Sequence, residues 1–302
     1  MRNKLMIYGA ALSATLFWGA SFVWYKEAFL AFDAISIIFF RLIIAAMLML
    51  AASKLIYKKE KIKVEDYKFF LLLSFLQPFC YFIFESYGMK FISSTLGALI
   101  IATIPLFTPI FTYFLAKEKI TLYHISGLVI SFLGVFIVLT NDFIGRISAL
   151  GISLLLLAVI SANFYGIMVK KLLTKYSGFT IVKTQNIIGL FYLLPLFLIF
   201  ERNKLSTLQI TDFISIFKLA VFGSVLAFIF KTYVIKKIGL INSNIFANMI
   251  PVYTAIIAYF TLHEVLGMRK FIGMVIVISG LFISQIPQFM RKRIKARNFQ
   301  SS

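Results

Sequence analysis

The chain has 302 residues, of which 61% are hydrophobic, with a mean hydropathy of +0.95 and a formal net charge of +20. So apolar a composition excludes a soluble globular domain, where the hydrophobic share is roughly 45–50%. A single cysteine, Cys80, excludes a disulfide framework and a cysteine-based metal cluster.

An apolar run of about 20 residues crosses a ~30 Å hydrocarbon core as a helix. Ten such runs are predicted: 5–25, 33–53, 67–87, 94–115, 121–140, 149–169, 179–200, 212–235, 243–262 and 268–286. The first follows Arg2 and Lys4 in the manner of a signal peptide. It is too long for a typical h-region and passes Trp18 and Trp24 without a cleavage site, so it is read as a retained helix. The longest connection, Lys54 to Asp66, is charged and too short to hold a domain. With the N-terminus inside, the connecting segments place 20 basic residues on the cytoplasmic side against 7 outside. This positive-inside bias predicts both termini in the cytoplasm and accounts for the charge without nucleic acid. The basic stretch Arg291 to Arg297 reads as a juxtamembrane patch drawn to anionic lipid.

The chain also repeats itself. Residues 82–87 (Phe-Ile-Phe-Glu-Ser-Tyr) return 146 positions later as 228–233 (Phe-Ile-Phe-Lys-Thr-Tyr), and the same offset carries Pro105, Glu118, Gly127 and Gly134 onto Pro251, Glu264, Gly273 and Gly280. Segments 105–137 and 251–283 share twelve identities at that register. Five spans lie between equivalent positions. Five is odd, so the second copy enters the membrane upside down. Inverted repeats about an in-plane pseudo-two-fold axis are the architecture of alternating-access carriers, with the substrate site near the midplane. The expected fold is therefore an all-α integral membrane protein of ten transmembrane helices: a five-helix repeat over 1–140, its inverted copy over 149–286, and a basic cytoplasmic tail over 287–302.

Trp18-Gly19 in the first span, Arg41 in the second, and the repeated Pro-Glu-Gly-Gly array resemble the drug/metabolite transporter superfamily of EamA-like permeases over nearly the full length. One departure is Ala162-Asn163, which stands where Trp18-Gly19 would align at an offset of 144. The resemblance implies a central cavity built by helices 1, 3, 4, 6, 8 and 9, and transport of small organic metabolites, often outward. It also places the second helix outside the cavity, so that Arg41 is expected as a structural clamp.

Polar side chains facing lipid are costly, so polar stripes mark a cavity or a helix interface. Ser74, Gln77, Tyr81 and Glu85 recur on one face of the third span. Glu85 is either an interfacial carboxylate paired with Arg41 or Lys90, or an ion-coupling or substrate-ammonium group in an outer vestibule. Asn244, Asn248 and Pro251 share a face of the ninth span, and Asn163, Gln185 and Asn186 lie at similar depth. Carboxamides both donate and accept, which suits a polar headgroup as well as a helix contact. Lys231 replaces Glu85 in the second copy. Inversion sets the two near opposite faces of a core ~30 Å thick, too far apart to hold one small zwitterion, so each is assigned its own vestibule. Trp18 and Tyr81 are the expected cavity aromatics. Pro105 and Pro251 interrupt equivalent helices and are expected as hinges. Gly127, Ser131 and Gly134, with Gly273 and Gly280, form small faces for packing within the monomer or across a homodimer.

The expected partners are thus the lipid bilayer and a small-molecule substrate such as an amino acid or related amphipathic compound, with no cofactor. The expected location is the cell membrane, as a multi-pass protein. A channel remains the alternative function. Neither metalloprotease nor nucleophile-elbow motifs occur, His124 and His263 do not form a metal pair, and no P-loop is present, which argues against an enzyme or an ATP-driven pump.

Overall fold

The computed structural model describes residues 2–55, 60–116, 121–142, 148–201, 210–265 and 267–300. These are helical apart from short connections. The first two spans are α1 (Arg2–Ala28) and α2 (Ala34–Leu55). The third is interrupted: α3 (Tyr67–Ser74) runs into a wide turn at Phe75–Cys80, where Gln77 leaves helical backbone just before Pro78, and resumes as α4 (Tyr81–Phe91). The fourth is broken into α5 (Ser94–Ile101) and α6 (Ile104–Ala116). Next come α7 (Leu122–Asp142), α8 (Ala149–Leu172) and α9 (Gly178–Phe200). The eighth span joins α10 (Phe213–Lys218) to α11 (Ala227–Ile238) through a second wide turn at Leu219–Leu226. The ninth passes from α12 (Leu240–Asn244) through a 3-10 stretch at Ile245–Met249 into α13 (Ile250–Thr261), and α14 (Met268–Gln300) closes the chain.

Eight of these spans are long and apolar enough to cross a membrane, and α7 adds a shorter apolar stretch at Leu122–Val138. Helix α14 continues through the basic segment that the sequence sets apart as a tail. Glu118, the first glutamate of the repeated array, lies outside the described residues. Apolar side chains such as Leu133, Phe136, Phe191 and Phe260 are exposed, while Arg41, Gln77, Glu85, Asn163 and Gln185 are buried. A helix that shows its hydrophobes and hides its polar groups is matched to lipid.

The repeat is visible in the backbone and in the contacts. Both wide turns fall at equivalent positions of the third and eighth spans, and both prolines open the second half of a broken helix. A wide turn shifts the hydrogen-bond ladder and leaves carbonyls in search of other donors. The Leu76 carbonyl accepts from Ser161 at 2.6 Å, and the Gly223 carbonyl accepts from Trp18 at 3.3 Å. Each donor comes from the first helix of the opposite repeat. Thr254 donates to the Gly19 carbonyl at 2.9 Å, and its equivalent Thr108 donates to Asn163, the residue aligned with Gly19, at 2.8 Å.

The same exchange governs α7 and α14. A Cβ placed on Gly127 would lie 2.5 Å from the Gly280 carbonyl oxygen, and one on Gly134 would lie 2.7 Å from that of Gly273. Ser131 donates to the Val277 carbonyl at 3.0 Å. Of the two uses left open for the small faces, packing inside the chain is the one observed. Glu264, following α13, accepts from the backbone and side chains of Ser94 and Thr95, and so caps α5 of the other repeat.

Candidate functional site

A narrow cavity of about 100 Å³ lies between the repeats, bounded by side chains from α1, α2, the wide turn and α4 of the third span, both halves of the fourth, α8, α11 and the ninth span. Trp18, Ser21 and Phe22 reach it because residues three and four apart share a helix face. Phe82 and Phe228, the same residue of the repeated hexapeptide, face it from opposite halves. Trp18 meets Phe228 edge-on at 5.4 Å, and Tyr165 meets the same ring at 6.1 Å.

One group of polar residues is built around Arg41, which is 1% exposed. Its Nε donates to Ser224 at 2.5 Å and its Nη1 to the Tyr25 hydroxyl at 2.8 Å, with the guanidinium carbon 4.0 Å from the Phe82 ring centre. Tyr25 also lies beside Glu85, whose carboxylate accepts from the Tyr81 hydroxyl at 2.8 Å. A buried cation and a buried anion thus flank one phenol. Each charge has polar partners, as burial in a low-dielectric interior demands.

A second group begins at Lys231. Its Nζ donates to Asn244 Oδ1 at 2.8 Å; Asn244 Nδ2 donates to Thr108 Oγ1 at 3.3 Å; Thr108 donates to Asn163 Oδ1 at 2.8 Å; Asn163 Nδ2 donates to the Val159 carbonyl at 2.9 Å. Every link donates in the same sense and the row ends on main chain. Lys231 also lies 6.0 Å from the Trp18 ring centre.

Of the residues singled out in the sequence, Trp18, Gln77, Tyr81, Glu85, Asn163, Lys231 and Asn244 line this one cavity. Four expectations need correction. Glu85 and Lys231 do not occupy separate vestibules: both are in the lining, on different partners. Residue count maps onto depth only along straight helices, and both helices carry wide turns. Arg41 clamps as expected, yet it also lines the cavity, because Ser224 and Gly223 in the wide turn leave room for its head.

The remaining two concern helix faces. The third span is not one continuous stripe. Gln77 has extended backbone (φ −151°, ψ 122°), and Ser74 turns into helix packing with its hydroxyl on the Phe70 carbonyl at 2.7 Å. Asn248 is buried but off the lining. Between Asn244 and Asn248 the chain is largely 3-10, where four residues advance the side chain by about 120° rather than the about 40° of an α-helix. Lys90, offered as a partner for Glu85, pairs instead with Asp33 at 2.6 Å.

Gln185 meets the cavity only through Tyr165, whose hydroxyl donates to it at 2.8 Å, while Asn186 bonds the Val182 carbonyl of its own helix. Sequence reasoning passed over Ser21, Phe82, Thr108, Tyr165 and Phe228 as lining residues. Two signals were available, since Phe82 and Phe228 belong to the repeated hexapeptide and Thr108 with Thr254 is one of the identities between repeats.

A model of the EamA-like transporter family matches residues 5–140 and 149–285. The chain is similar to an "Uncharacterized transporter" of Archaeoglobus fulgidus, 26% identical over 273 residues that cover 90% of this chain and 96% of that protein. It is also similar to the "Uncharacterized transporter YyaM" of Bacillus subtilis, 28% identical over 307 residues that cover 97% and 99%. A solved crystal structure shares the fold with a TM-score of 0.70 at 12% identity, covering 92% of this chain and 95% of its own.

Proposed function

Since the chain belongs to the EamA-like transporter family and is a multi-pass protein of the cell membrane, we propose that it is a secondary carrier that moves small amphipathic organic metabolites outward by alternating access. The observation that supports this most is the exchange of contacts between repeats around one cavity lined by both. If the halves trade shapes, the contacts of one become those of the other and the cavity opens to the opposite side. Ten crossings with both termini in the cytoplasm belong to the same reading. Pro105 and Pro251 act as hinges, because each opens the second half of a helix already interrupted in its backbone. Gln77, Tyr81, Trp18, Asn163 and Asn244 contact the substrate.

Counterflow in proteoliposomes tests the reading. A panel of labelled amphipathic metabolites should include one whose uptake saturates and is accelerated by the same unlabelled compound inside. For that compound Gln77→Ala should cut the initial rate about tenfold at unchanged protein content, the scale of one lost charge-free contact of roughly 1.4 kcal/mol. Non-saturating flux without trans-acceleration would instead identify a channel.

A further inference from the structure

Among the described residues, three charged side chains line the cavity: Arg41, Glu85 and Lys231. The first two flank Tyr25 and balance each other. Lys231 has no carboxylate in contact among the described residues; its hydrogen-bond partner there is the carbonyl oxygen of Asn244. An ammonium carries three donors, and Asn244 takes one. The row from Lys231 through Asn244 and Thr108 to Asn163 ends on main chain, so it fixes the lysine head while bringing no negative charge. The lining therefore carries an excess of one positive charge when Lys231 is protonated, and a low-dielectric interior penalises an uncompensated charge.

We propose, resting on the carrier reading, that Lys231 is the anion-binding residue of this cavity and that the cargo is a monovalent organic carboxylate with an apolar, ring-sized body. One negative charge completes the balance. A phosphate dianion would overshoot it. A cation would add to the excess. A zwitterion would bring an ammonium whose natural partner, Glu85, is already held by Tyr25, Tyr81 and the nearby Arg41. The two remaining N–H donors of Lys231 are available to carboxylate oxygens, and charge-assisted bonds of this kind are roughly twice as strong as neutral ones. Beside the ammonium stand Trp18 and Phe228, which offer the body of the ligand an aromatic wall.

The test uses the full chain in lipid nanodiscs and a set of ligands of nearly one shape. These are phenylacetate, phenylacetamide, 2-phenylethylammonium, phenyl phosphate and phenylalanine, read by thermal unfolding. Phenylacetate should stabilise the protein at concentrations about tenfold lower than any of the other four. Lys231→Met should remove that preference, whereas Lys231→Arg should keep it. Absence of binding by phenylacetate, equal binding by the amide or the ammonium, or a carboxylate preference that survives in Lys231→Met each overturn the proposal. Tighter binding by phenyl phosphate or by phenylalanine overturns the monovalent-carboxylate class. Counterflow on the same compounds separates this from the carrier reading. Phenylacetate binding without flux leaves the site standing and removes the carrier. Saturable flux that does not distinguish acid from amide leaves the carrier and removes the site.

Discussion

Asn248 is 1% exposed, and neither end of its carboxamide has a hydrogen-bond partner among the described residues. An unpaired buried amide costs about 1–3 kcal/mol, so a side chain of similar volume without polar atoms should be preferred there. Asn248→Leu is expected to raise the unfolding midpoint of the purified protein; a lowered midpoint would show that the carboxamide is held by a bond in the dominant state. Asn244, one turn earlier, is the opposite case. Its carboxamide is bonded at both ends, to Lys231 and Thr108. Sequence spacing alone put the two asparagines on one face, and it is the 3-10 backbone between them that separates them.

Elements show the same division between what pattern reveals and what packing decides. Glycines at 127, 134, 273 and 280 are legible as small faces, and the chain uses them to bring α7 and α14 to backbone contact. Gly127→Ala forces a Cβ to 2.5 Å from a carbonyl oxygen that belongs to rigid helix. Overpacking of this kind costs about 1–3 kcal/mol, so the variant should unfold at a lower temperature than wild type. Gly9→Ala, where a Cβ meets nothing within 4 Å, should leave the midpoint unchanged and serves as the control. Equal midpoints for the two variants would refute the close α7–α14 approach. Gly239 is a different kind of glycine. Its φ of +82° ends α11 and lets α12 start at the next residue, a conformation other residues rarely adopt. Of the two wide turns, Phe75–Cys80 is marked in the sequence by Pro78, whereas Leu219–Leu226 contains no proline. A hydropathy run of the right length looks the same whether its helix is regular or interrupted, so hydropathy locates neither interruption.

At the scale of the whole molecule, the distribution of basic residues and the odd spacing of the repeat make one further prediction. Single cysteines introduced at Asn3 and Ser302 in a Cys80→Ser background should both be shielded from a membrane-impermeant maleimide in intact cells, and both react in inverted vesicles. Labelling on opposite faces would mean an odd number of crossings and would end the inverted five-plus-five arrangement. The sequence by itself determined that the chain lives in lipid, that it is one unit written twice, and where most of the cavity's polar residues come from. It could do so because burial of polar groups in hydrocarbon is so costly that their spacing must follow a helix face or a partner. Only the tertiary structure decided that Arg41 and Glu85 flank one tyrosine, that Lys231 stands in the same cavity with no carboxylate in contact among the described residues, and that Asn248 leaves the lining. Those outcomes depend on side chains from helices far apart in sequence and on local departures from α-helical geometry, neither of which hydropathy records.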